Sequence, residues 1–96
     1  DNYMPDIIDA YLMAGDQNSA LELIEEMKEH YGEKLDYYTS LPPYYMQNGE
    51  TEIRMSFGFL QRVASSCRNK GLEDTAEEIE TMVQEAMLVY YSKMQE

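Results

Sequence analysis

The stretch 52–94, EIRMSFGFLQRVASSCRNKGLEDTAEEIETMVQEAMLVYYSKM, decides the fold class. Ile53, Phe57, Leu60, Ala64 and Cys67 recur at spacings of 4, 3, 4 and 3. Leu72, Ala76, Ile79, Val83, Ala86 and Tyr90 recur at 4, 3, 4, 3 and 4, with Met82 and Met87 flanking. A period between 3 and 4 places each set on one side of a helix. Gly71 punctuates the two runs, so they predict an antiparallel helical hairpin, with helices at about 52–69 and 73–94. Arg54, Arg62 and Arg68 fall opposite the first apolar stripe.

Working toward the N-terminus, the pattern stays helical. Pro5 suits a first helical turn, where its missing N–H costs nothing. Met4, Ile7, Ile8, Tyr11 and Leu12 then share a face up to Ala14, and Gly15-Asp16 breaks the run. A second helix is expected from about Asn18 to Tyr31, with Asp16 or Asn18 as its cap and Gly32 as its end. Ala20, Ile24, Met27 and Tyr31 form its stripe, broadened by Leu21 and Leu23. Lys34 to about Leu41 is expected as a short third helix stopped by Pro42-Pro43, and 44–50 as a loop with a turn at Asn48-Gly49. The chain thus divides into a first hairpin (1–32), a short helix with a Pro-Pro loop (33–50) and a second hairpin (51–96). The fold class is all-α, with about five helices and no sheet. The expected core comprises Ile8, Tyr11, Ala20, Ile24, Met27, Leu60, Ala64, Cys67, Ile79, Val83 and Ala86.

Length and charge restrict function. Ninety-six residues make one domain, with room for a helical core but not for a deep enzyme cleft as well. Hydrophobic residues make up 44%, which argues against disorder. Nineteen acids against seven bases give −12, a charge that repels nucleic acid and anionic lipid. The acid is uneven: 1–32 carries eight acids and Lys28, whereas 52–70 carries Glu52 alone against Arg54, Arg62, Arg68 and Lys70. Cys67 is the only cysteine, so no internal disulfide forms. No long apolar run is present for direct membrane insertion. A start at Asp1, close to a helical pattern and without an initiator Met, is the expectation for a piece of a longer protein.

The stretch 10–28, AYLMAGDQNSALELIEEMK, resembles a tetratricopeptide repeat. Tyr11, Gly15, Asp16, Ala20 and Ile24 match the family's aromatic, Gly-Asp turn, small crossing residue and apolar position in order, and Ile7 matches its usual leucine. Ile8 and Met27 stand where that family prefers small residues, and Gly32 where it prefers Pro, which implies looser packing against neighbours. The second hairpin echoes the first at an offset of 56: Gly71 and Ala76 correspond to Gly15 and Ala20, and Leu60, Val63, Ala64 and Cys67 to Met4, Ile7, Ile8 and Tyr11. The ordinary repeat is about 34 residues, so 33–50 is an insertion.

The whole chain also resembles the soluble C-terminal tail of bacterial multi-pass membrane proteins similar to glycosyltransferases and protein O-mannosyltransferases, a domain of unknown function. Leu35-Asp36-Tyr37-Tyr38 followed by Ser40-Leu41-Pro42 is the most distinctive piece. This resemblance implies an extracytoplasmic (periplasmic) location and chemistry lying elsewhere in the parent chain.

Candidate chemistry is sparse. His30, with Glu26 one turn earlier, has no further histidine or cysteine neighbour and is expected as a helix-end surface residue. Asp6 with Asp9, and Glu77, Glu78 and Glu80, are expected as helix N-terminal acids without a catalytic role. Cys67 lies on an apolar stripe and is expected in the core. No catalytic, cofactor or metal residue is therefore assigned, and a non-enzymatic interaction or scaffolding module is expected. Three tyrosine doublets, 37–38, 44–45 and 90–91, place one ring inward and one outward, with Tyr38 and Tyr90 expected inside. Aromatic and Arg residues are the usual interface anchors. In stacked hairpins the first helices line a concave face. The expected partner surface is therefore Tyr37, Tyr44, Tyr45, Arg54, Arg62 and Arg68, meeting a protein, a peptide or the rest of the parent chain.

Overall fold

The computed structural model describes residues 3–95, so the outer limits of the first and last segments lie outside it. It is 87% helical, with five helices and no strand among the described residues. Helix α1 spans Met4–Met13, α2 Gln17–Thr39, α3 Pro43–Asn48, α4 Glu50–Asn69 and α5 Glu73–Met94.

The two hairpin turns share the same backbone geometry at their glycines. Gly15 and Gly71 both take positive φ, 79° and 82°. Asp16 N donates to Tyr11 O at 2.9 Å, and Leu72 N to Cys67 O at 2.8 Å. Gly15 N donates to Leu12 O and Gly71 N to Arg68 O, each at 3.2 Å. Only glycine takes this left-handed conformation without steric cost, which is why both reversals are so short. Asp16 then caps α2, its Oδ1 accepting from Ser19 N at 3.2 Å. Ala20 and Ala76, five residues beyond each glycine, are fully buried. Small side chains there let paired backbones come close.

Helices α4 and α5 run antiparallel. Arg68 at the end of α4 pairs with Glu73 and Glu80 near the start of α5, while Phe57 meets Tyr90 edge-on at the opposite end. Helix α2 lies across both. It is antiparallel to α4, with Tyr31 against Phe59 and Lys34 paired with Glu52 at 2.9 Å. It is parallel to α5, with Lys28 on Glu78 and Lys93 on the Thr39 carbonyl. Helix α1 packs on α2 and α4.

Three expectations are corrected. Gly32 does not end the second helix, and no separate helix begins at Lys34: one 23-residue helix runs through both. Tyr31, Leu35 and Thr39 extend its buried stripe past the glycine. A glycine inside a helix costs about 1 kcal/mol relative to alanine, less than burying Tyr31 and Leu35 returns. Residues 44–48 are helical rather than a loop. Pro42 is extended (φ −56°, ψ 152°) and Pro43 opens α3, whose Met46 is fully buried. Tyr11 is not core but 37% exposed, and Ala86 is only partly buried. Cys67, the counterpart of Tyr11 on α4, is enclosed because α4 has α1, α2 and α5 around it, whereas α1 packs mainly on α2 and α4.

The remaining nine expected core residues are buried. Ile8 and Met27, expected to loosen the repeat, are fully enclosed. The principal extents are 45 × 22 × 15 Å. In so thin a slab every helix keeps one face toward solvent, and the core is a single layer of stripes.

Candidate interaction surface

The corner between α2 and α4 is built tightly. Thr39 and Leu41 leave two carbonyls at the α2 C-terminus, and Lys93 from α5 donates to both, to Leu41 O at 2.9 Å. An ammonium there complements the negative end of the helix dipole. Thr39 Oγ1 donates back to Leu35 O at 2.7 Å, so its buried hydroxyl is satisfied. Met46 anchors α3 from below. Gly49, between α3 and α4, lies against the Tyr38 ring.

This rigid corner presents aromatic side chains to water. Tyr37 is 61% exposed, Tyr44 74% and Tyr45 58%. Tyr44 and Tyr45 meet edge-on with centroids 5.4 Å apart, and Tyr37 meets Tyr38 the same way at 5.1 Å. Of the two tyrosines expected inside, Tyr90 is buried and Tyr38 is partly buried against the core. The Tyr90 hydroxyl stands beside Arg54 and, with Glu50, raises the pKa of its guanidinium, although the hydroxyl meets no partner in hydrogen-bonding geometry.

The three arginines do not join the tyrosines in one patch. Arg54 pairs with Glu50 at 2.7 Å, at the same end as the aromatic corner. Arg62 bridges to α1, bonding Asp6 at 2.6 Å and Asp9 at 2.7 Å. Arg68 is held by Glu80 at the far end, about 21 Å from Arg54 along the axis of α4. The hydrogen-bonding carboxylates raise the pKa of both Arg62 and Arg68. The six residues thus separate into an aromatic end with Arg54, a seam at Arg62 and a distal pair at Arg68.

Several other titratable side chains have structural neighbours. Glu78 takes Lys28, whose Nζ also reaches Glu25. His30 is mid-helix and partly buried rather than at a helix end, with its ring 4.8 Å from that of Tyr31. Cys67 is fully buried, and burial, then Asp9, raises its thiol above the ordinary 9.0. No group of three or more His, Cys, Asp or Glu side chains is placed to hold a metal among the described residues. No helix among them is long and apolar enough to cross a membrane.

One recess carries aromatic walls. Tyr3, Tyr31, Phe59 and Met55 surround a cavity of about 380 Å³, with the Lys34–Glu52 pair at its side. The Lys34 ammonium sits 5.8 Å from the Tyr31 ring centre. Burial raises the Tyr31 hydroxyl above the ordinary 10.0.

The periodicity reading missed the outer side of α5. Leu88 is 70% exposed and Tyr91 53%. Their signal is a second stripe, displaced from the buried one, and it was readable at Gln84, Leu88, Tyr91 and Gln95. Lys93 left no signal, because its carbonyl partners are supplied by tertiary packing alone.

No family model matches the chain, and comparisons with curated proteins and with solved structures find no match either.

Proposed function

We propose that this chain is a non-catalytic interaction or scaffolding domain that holds a protein or peptide surface at its α2–α3 corner. The observation that carries the reading is the set of Tyr37, Tyr44 and Tyr45 standing in solvent on a backbone pinned by Lys93 and Met46. A tyrosine fixed before binding loses little entropy on contact and offers both an apolar ring and a hydroxyl. Arg54 adds a guanidinium at the same end, with Arg62 and Arg68 farther along α4.

The resemblance to the tail of glycosyltransferase-like membrane proteins makes the rest of a parent chain the first candidate partner, on the extracytoplasmic face. The matching turns at Gly15 and Gly71 favour a second reading, a tetratricopeptide-like adaptor acting on its own. The test replaces Tyr44, Tyr45 and Arg62 with Ala in the full-length protein. Weakened assembly with intact folding is expected. Unchanged assembly, partner recovery and activity would remove this surface from consideration. An upstream reading frame with many apolar spans separates the tail from the adaptor.

A further inference from the structure

The solvent side of α5 presents one exposed line of residues, acidic and polar toward its start and apolar at Leu88 and Tyr91. Glu77, Thr81, Gln84, Leu88, Tyr91 and Gln95 recur at 4, 3, 4, 3 and 4, and all six are exposed. At 1.5 Å per residue the stripe is about 27 Å long. Its chemistry changes along its length. The C-terminal half is an apolar hollow lined by Gln84, Met87, Leu88, Tyr91, Ser92 and Gln95. It carries no charged lining residue, although the chain as a whole carries −12. The N-terminal half is an acidic hollow with Asp74, Glu77 and Glu78 around Thr81. Lys28 borders it, but its ammonium is occupied by Glu25 and Glu78. Among the described residues Asp74 and Glu77 are in no ion pair within 4 Å, although Glu77 feels the more distant charge of Arg68.

We infer that this face of α5 docks an amphipathic helix whose contact stripe is apolar over one half and Lys/Arg-rich over the other. The inference rests on reading the chain as an interaction module and adds a second surface, with the chemistry of its partner. A heptad-like stripe is the register a second helix follows when it packs alongside. The acids select a basic end and set its direction along α5, and the Leu88–Tyr91 hollow supplies desolvated contact. A second copy of the chain fits worse. It brings −12 to a −12 surface, and its own stripe has no positive half to set against Asp74 and Glu77.

The test uses the full chain and a synthetic helical peptide of about 20 residues, long enough to cover the stripe. Its contact positions are Leu over one half and Lys over the other. A twin peptide carries Glu in place of Lys. Titration by fluorescence anisotropy is expected to show the Lys peptide binding at least about tenfold tighter than its twin, with affinity falling as salt rises. Leu88→Asp, at a site too exposed to threaten folding, should weaken the Lys peptide about tenfold. Glu77→Lys should weaken it too and flatten its salt dependence. Equal binding of the twins, no binding of the Lys peptide, or indifference to Leu88→Asp overturns the inference. So does sedimentation showing self-association that Leu88→Asp abolishes, which would assign the face to a second copy. Met13→Ala, at an exposed residue of α1 outside both surfaces, should leave peptide affinity unchanged. If the corner variants disrupt the full-length assembly while Leu88→Asp leaves the peptide bound, the interaction reading stands and only this second surface falls.

Discussion

Gly49 packs against the ring of Tyr38, so that a Cβ on Gly49 would sit 2.6 Å from Tyr38 Cε1. The glycine is required for space and not for conformation, since its φ of −98° is open to any residue. Gly49→Ala should therefore cost about 1–3 kcal/mol by overpacking. In a Tyr38→Ala background the same change should cost nothing. A double-mutant cycle by urea denaturation measures the difference, and a coupling near zero would show that the ring moves aside freely.

Ala20 and Ala76 occupy equivalent, fully buried positions after their turns. Ala20→Leu and Ala76→Leu are each expected to lose about 1–3 kcal/mol through forced separation of the paired helices. Unchanged thermal midpoints would mean that neither hairpin crosses at its alanine.

Lys93 is the tie between α5 and the end of α2. Lys93→Met keeps most of the stem but removes both charge-assisted bonds, at a cost of about 1–3 kcal/mol. Hydrogen exchange should quicken first in 39–49, and the exposed tyrosines should lose their fixed geometry. Uniform acceleration along the whole chain would contradict the pinning of this corner.

Alkaline pH supplies a fourth test. Burial holds the Cys67 and Tyr31 protons more tightly in the folded chain, raising their pKa above 9.0 and 10.0 respectively. In the unfolded chain both ionise first. Their contribution is complete below about pH 8 and is lost as pH rises through the unfolded and then the folded values. Denaturation midpoints should fall as pH rises past about 9 and then past about 10, and Cys67→Ala should remove the earlier part of that fall. A flat profile across this window refutes the assignment. The thiol should also react slowly with disulfide reagents under native conditions.

What was legible in the sequence was whatever one helix could state alone. The stripes of α4 and α5 needed only their spacing, and the Gly-led turns needed only local chemistry. What stayed hidden depended on neighbours. Gly32 looks like a terminator until Leu35 and Thr39 are seen to find burial beyond it. Met46 is one apolar residue in a polar run, and nothing local says that α3 will be drawn onto the core. Tyr11 and Cys67 occupy matching sequence positions but differ in burial because α4 is surrounded and α1 is not. Among the site residues, the exposure of Tyr37, Tyr44 and Tyr45 followed from their excess over inward positions. The separation of Arg62 and Arg68 from them followed from ion pairs that only the assembled helices create.

The unbroken passage of α2 through Gly32 has a mechanical consequence. One rod belongs at its start to the first hairpin and at its end to the aromatic corner, so the two ends cannot tilt independently. A push on Tyr44 or Tyr45 would be carried down the rod to the Gly15 turn with little lost to bending. Gly32, where an added Cβ would stand 3.6 Å from Met82 Sδ, is the rod's most compliant point. A load strong enough to yield the rod should crease it there, splitting the molecule across its middle before either turn opens.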